Sequence, residues 1–120
     1  MSASKHTPGP WYAEMSPSLG TENVRILWDV HSHDRVGIAR SQSQEHLGER
    51  GIHEQECRAN AQLIAAAPDM LSALRSSRDV LARAIKAAAP DLFESDEDVN
   101  EHLTIKRMDA AIARAIGDAA

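Results

Sequence analysis

Paired cysteines, aromatic clusters and long apolar runs are all missing from this 120-residue chain, and each absence removes a class of protein. A single cysteine, Cys57, cannot close an internal disulfide, and without a matching set of cysteines and histidines it is no zinc site. Its ordinary reading is a small buried helix residue. No stretch approaches the roughly 20 apolar residues that span a bilayer, and the leading MSASKHTPGPW has no apolar signal core, so a soluble protein that stays in the cytoplasm is expected. With only two Trp, one Tyr and one Phe, the core must come from Leu, Ile, Val, Met and Ala. Positive charge is also in deficit. Thirteen Lys and Arg against eighteen Asp and Glu give a formal net charge of −5, which repels a phosphate backbone and obliges any anionic ligand to find a local cluster of arginines.

Catalytic signatures are missing too. The glycines at 9, 20, 37, 48, 51 and 117 are scattered, so no glycine-rich loop follows a strand to cradle phosphates. There is no G-x-S-x-G elbow or comparable nucleophile arrangement. Cys57 precedes Arg58, which could depress a thiol pKa, but its place on an apolar helix face favours a structural role. The chain reads as a binder that needs no cofactor, not as an enzyme.

What is present describes one α+β domain over residues 1–120, a β-meander at about 10–40 followed by a helical part at 54–117. Pro8 and Pro10 flank Gly9 and prevent a helix, after which Trp11, Tyr12 and Ala13 begin a strand. Ser16 to Glu22 reads as a loop. Val24, Ile26, Trp28 and Val30 alternate with Arg25, Leu27 and Asp29, the period of a half-buried strand. HSHD at 31–34 reads as a turn, and Arg35 to Arg40 as a third strand with Val36 and Ile38 on one face. Ser41 to Gly51 is polar and reads as a surface loop that could carry function.

From Glu54 the period becomes helical: Cys57, Ala61, Ile64 and Ala65 share a face. Pro68 breaks the pattern and suits the first turn of a second helix, which carries Met70 or Leu71, Leu74, Leu81 and Ile85 and stops before Pro90. Asp91 to Asp98 is an acidic connection, and Val99, Leu103, Met108, Ile112 and Ile116 outline a third helix ending near Gly117. Alanines at 65–67, 87–89, 110, 111 and 113 leave narrow helix faces suited to close packing or to another subunit.

Three sites can be weighed from residues alone. His31, His33 and Asp34 sit within four residues and could ligate a metal, but a solvated turn explains them and no metal is assigned. Helix-turn-helix DNA binding would need a basic face, whereas Asp69 and Asp79 interrupt the arginines of the second helix. Arg25, Arg58, Arg75 and Arg78 could instead converge on a small phosphorylated ligand, with Asn60 offering a donor and an acceptor. Against that stands the ordinary reading of exposed helix charges, with Arg75 and Asp79 a modest i,i+4 pair.

Two stretches add to this reading. His6 to Trp11 (HTPGPW) and, some fifty residues later, Ala59 to Leu71 (ANAQLIAAAPDML) resemble a pattern of small tailed-phage and prophage proteins. Among characterised families the chain resembles the Thoeris anti-defence protein 1 sponges, in which a small N-terminal sheet precedes C-terminal helices. The resemblance covers about a quarter of the chain. It implies a homo-oligomer, up to a hexamer, acting in the host bacterial cytosol. There it would sequester glycocyclic ADP-ribose, and in some members the cyclic dinucleotides of CBASS immunity, without cleaving them. Asn60 lies inside the matching segment and is carried over as a ligand contact, while Arg25, Arg58, Arg75 and Arg78 join it on charge and placement. Trp11 is read as a structural anchor, which leaves no evident aromatic to stack on an adenine. The alternative is a phage protein that binds and inhibits a host defence enzyme, with a small DNA-binding regulator behind it.

Overall fold

The alternating segment around Trp28 becomes the middle strand of a three-stranded antiparallel sheet. The computed structural model of the protein describes residues 6–17, 26–42 and 54–117. Strand β1 is Trp11–Pro17, β2 is Ile26–Ser32 and β3 is Gly37–Gln42, in the order β1-β2-β3. Helices α1 (Glu54–Ala65), α2 (Ala67–Ala88), α3 (Asp96–Asn100) and α4 (Leu103–Ile116) follow, which makes the α+β fold that the patterning predicts. The chain forms two compact units, one of residues Thr7–Asp69 and one built on Met70–Ala120.

In the first unit, α1 packs on all three strands. Val30 at the centre of β2 is fully buried between its cross-strand partners Ala13 and Ala39, and α1 meets it with Cys57 and Ala61, equally buried. These two lie four residues apart and therefore on one face, and their small side chains let the helix backbone approach the sheet. The Cys57 thiol donates to the carbonyl of Ser41 at 3.0 Å, so a lone cysteine serves as a packing residue with a hydrogen bond.

The HTPGPW and ANAQLIAAAPDML segments meet in this unit. A Cβ on Gly9 would lie 2.9 Å from Cβ and 3.3 Å from Cγ of Pro68, so only glycine lets the chain pass over the helix joint. Trp11 anchors the same segment, its indole N–H donating to the Thr7 carbonyl at 3.1 Å. Pro68 itself occupies the first turn of α2, where its missing N–H removes no helical bond, and the interruption falls at Ala66.

Several boundaries differ from the sequence reading. The 31–34 turn lies two residues further on: His31 and Ser32 complete β2, and the Ser32 carbonyl accepts from Arg35 N while Ser32 N donates to the Val36 carbonyl. Ser32 is buried, and its hydroxyl accepts from the Val36 N–H at 3.1 Å, so a polar residue that reads as a turn is a satisfied strand end. A bulge between Val30 and His31 shifts the register with β3, and Val36 stands exposed before that strand. Ser16 and Pro17 extend β1, and Ser41 and Gln42 extend β3, where loops are expected. The rest of both loops and Val24 lie outside the described residues.

In the second unit, α2 presents Leu71, Leu74, Leu81 and Ile85 half-buried, whereas Met70 is exposed. The expected acidic connection and single third helix resolve into two helices. Ser95 begins α3 with a capping box, its hydroxyl accepting from Asp98 N while the Asp98 carboxylate accepts from Ser95 N, both at 3.2 Å. The 96–98 acids are thus a helix first turn, where they suit the positive end of the dipole. His102 caps α4, accepting from Thr104 N through Nδ1. This restart changes the buried face to Ile105, Met108, Ile112 and Ile116 and leaves Leu103 exposed. Gly117, at φ 83°, closes the helix.

Two substitutions test the local geometry. Gly9→Ala should destabilise the protein by about 1–3 kcal/mol through overpacking against Pro68, read as a lowered urea midpoint. Arg35 holds φ 63° in the hairpin turn, so Arg35→Gly should stabilise by roughly 0.5–1 kcal/mol in the same measurement.

Candidate functional site

On α2, positions 78, 82 and 86 fall on one line of the helix, with Asp79 and Arg83 beside it. Position 82 is alanine, too small to fill the space between its charged neighbours. Across from it stand Asp96, Val99 and Asn100 of α3, with the buried Val99 at the bottom. The result is a cleft of about 360 Å³ between α2 and α3, with Arg78, Arg83, Lys86, Asp79 and Asp96 on its walls.

These cations are not equivalent. Arg78 is largely enclosed and makes a fork onto Asp109 of α4, with Nε to Oδ1 at 2.8 Å and Nη2 to Oδ2 at 3.2 Å. The same Nη2 donates to Asn100 Oδ1, and Asp79 lies 3.6 Å from Nη1. The hydrogen bond to Asp109 is the chief reason that the Arg78 pKa is raised above its ordinary value, against the lowering effect of burial. Arg78 therefore ties α2 to α3 and α4. Lys86 Nζ is 3.1 Å from Asp96 Oδ1 across the cleft, and the Arg83 Nε–H makes a long 3.4 Å bond to the Asp79 carbonyl. Both of these side chains are exposed.

The expected site residues divide between the two units. Arg58 and Asn60 are exposed on α1 in the first, and Arg75 and Arg78 are on α2 in the second; Arg25 lies outside the described residues. Arg58 lies over the Trp28 ring, 5.6 Å from its centroid, a cation–π contact worth about 0.5–1 kcal/mol at an exposed position. Two residues apart on one helix, Arg58 and Asn60 point to different sides. Arg75 is half-buried, with an Nε that has no hydrogen-bond partner among the described residues. Arg83 and Lys86 were legible only as the polar side of a helix, and the signal that marks them is the small Ala82 between two cations.

The histidine cluster is split by the fold. His33 is in the turn beside Asp34, while His31 lies on the open sheet face, its Nδ1–H donating to the Ser32 carbonyl at 2.8 Å and its Nε2 3.2 Å from Glu14 Oε2. Glu14 also lies opposite Asp29 in the sheet, a like-charge pair that is relieved by Arg40, which forks onto Asp29 from β3. Among the described residues no group of three or more histidine, cysteine, aspartate or glutamate side chains is placed to hold a metal. Nor is any described helix long and apolar enough to cross a membrane.

The role of Arg78 as a tie between helices has a measurable cost. Arg78→Lys, which keeps the charge but loses the fork, should destabilise by about 1 kcal/mol. Arg78→Ala, which removes the fork and the half-buried stem while water takes over at Asp109 and Asn100, should cost roughly 1–2 kcal/mol, both read from urea unfolding.

Comparison with curated proteins and comparison with solved structures each return no match. A family model does match: that of Salmonella phage P22 protein Y8K6, over residues 1–119. The chain therefore belongs to this phage protein family.

Proposed function

We propose that this phage protein is an anti-defence sponge that captures a cyclic nucleotide immune signal, glycocyclic ADP-ribose or a cyclic dinucleotide, and holds it without cleaving it. The observation that carries the reading is the cleft between α2 and α3, where Arg78, Arg83 and Lys86 outnumber Asp79 and Asp96 on a chain whose net charge is −5. Its volume falls within the range of about 300–1,000 Å³ that small-ligand sites occupy. Membership of a phage protein family and the HTPGPW and ANAQLIAAAPDML segments add to the reading. Capture requires complementarity and high affinity, not an activated nucleophile, and a basic cleft supplies the first of these.

Assembly into a homo-oligomer belongs to the same proposal. Val80, Leu92 and Leu103 are large apolar residues 60%, 76% and 60% exposed in the second unit, and α2 has no fully buried residue. Such faces gain from another subunit. The same exposed residues favour a protein partner, such as a host defence enzyme, as the second reading.

Thermal-shift measurements with glycocyclic ADP-ribose and a panel of cyclic dinucleotides separate the two. A ligand at 100 times its Kd should add about 2.7 kcal/mol of stability, and Arg83→Ala with Lys86→Ala should remove that gain while the unliganded protein melts as before. Lack of a shift with every nucleotide would sink the sponge and leave the protein partner.

A further inference from the structure

The cleft contains its own competing anion. Asp96 begins α3 and reaches over to Lys86, with Nζ and Oδ1 3.1 Å apart, yet 90% of the Asp96 side chain is exposed. An ion pair so open to water is held weakly. The capping box that starts α3 uses Ser95 and Asp98, so the helix does not require Asp96 for its first turn. The other pairings leave little freedom. Arg78 is committed to Asp109 and Asn100, whereas among the described residues the Arg83 guanidinium makes a long bond from Nε to a backbone carbonyl and no other. Lys86 and Arg83 are thus the cleft's exchangeable cations, and Asp96 is what occupies one of them.

We infer that Asp96 is an internal stand-in for a ligand phosphate, displaced when a ligand with two adjacent phosphates bridges Arg83 and Lys86. The inference rests on the proposed anion-binding role of this cleft and gives the ligand its chemical class. Arg83 and Lys86 are three residues apart on α2, neighbours on a helix surface with Cβ atoms about 5–6 Å apart, so linked phosphates can engage both at once. A single phosphate brings less charge and fewer oxygens to the same pair. Asn100 already accepts from Arg78 through Oδ1, which leaves its amide N–H groups as donors at the same wall. Below the charges the walls are apolar, with Ala82 and Val99 placed to meet a less polar part of the ligand.

Displacement of an internal anion has a signature that a merely basic surface lacks: removing the anion strengthens binding. The test is calorimetric titration of the full-length protein with inorganic pyrophosphate and, separately, with orthophosphate. Asp96→Asn should bind pyrophosphate about 2- to 5-fold more tightly than the parent. Glu97→Gln, which removes the same charge one residue on but lies outside the cleft lining, should leave the affinity unchanged. Arg83→Ala combined with Lys86→Ala should abolish binding, and orthophosphate should bind more weakly than pyrophosphate. Equal effects of Asp96→Asn and Glu97→Gln, or no gain from Asp96→Asn, would overturn the inference. A thermal shift with cyclic nucleotides alongside either of those results would leave the sponge reading standing. The reverse pattern, a specific gain for pyrophosphate with no response to any cyclic nucleotide, would keep the displaced anion and remove the sponge.

Discussion

The first unit depends on a close approach that only one residue type permits. Where the chain enters β1 it crosses the start of α2, and the missing side chain of Gly9 lets it rest on the ring of Pro68. Trp11 fixes the crossing segment from the other side through Thr7, and the sheet that begins there receives α1 through Cys57 and Ala61. Small residues thus stand at both of these contacts, Gly9 against the Pro68 ring and Cys57 with Ala61 against the sheet, and an aromatic-poor chain achieves burial by proximity instead of bulk. The two motif segments, fifty residues apart, are the two sides of this one contact. Their pairing accounts for much of the HTPGPW and APD signal as packing.

The second unit adds a polar tie to its apolar burial. Ile105 and Val99 are its fully buried side chains among the described residues, and the three helices are linked by the Arg78 fork to Asp109 and Asn100. A bidentate arginine does this well because its five donors are held in one plane and can serve two helices together. That commitment separates the cations of α2 by task. Arg78 holds the walls of the cleft, and Arg83 and Lys86 remain for exchange.

Much of the fold is legible from period and punctuation. The switch from alternation around Trp28 to helical spacing at Cys57 locates the change from sheet to helix, and Pro68 and Pro90 bound the second helix within about a residue. The errors share one cause, polar residues with a structural purpose. Ser32 looks like a turn residue but is buried as the acceptor for Val36, Asp98 looks like part of an acidic linker but completes a cap, and His102 restarts a helix that apolar spacing alone would carry through. In each case a side chain bonds to nearby backbone, an option that hydrophobic pattern does not encode. The site was less legible still. Arginine is visible in sequence, but Asp109, which commits Arg78, lies 31 residues away, and nothing local distinguishes a tethered guanidinium from an exchangeable one.

The buried thiol of Cys57 has a use beyond packing. It sits under α1 with its hydrogen directed at Ser41, and the chain has no other cysteine. A thiol reagent can reach it only from states in which α1 has lifted from the sheet, so the rate of modification measures the free energy of that local opening. The protein thus carries a built-in gauge of the detachment of one helix, readable separately from global unfolding and without a label placed anywhere else.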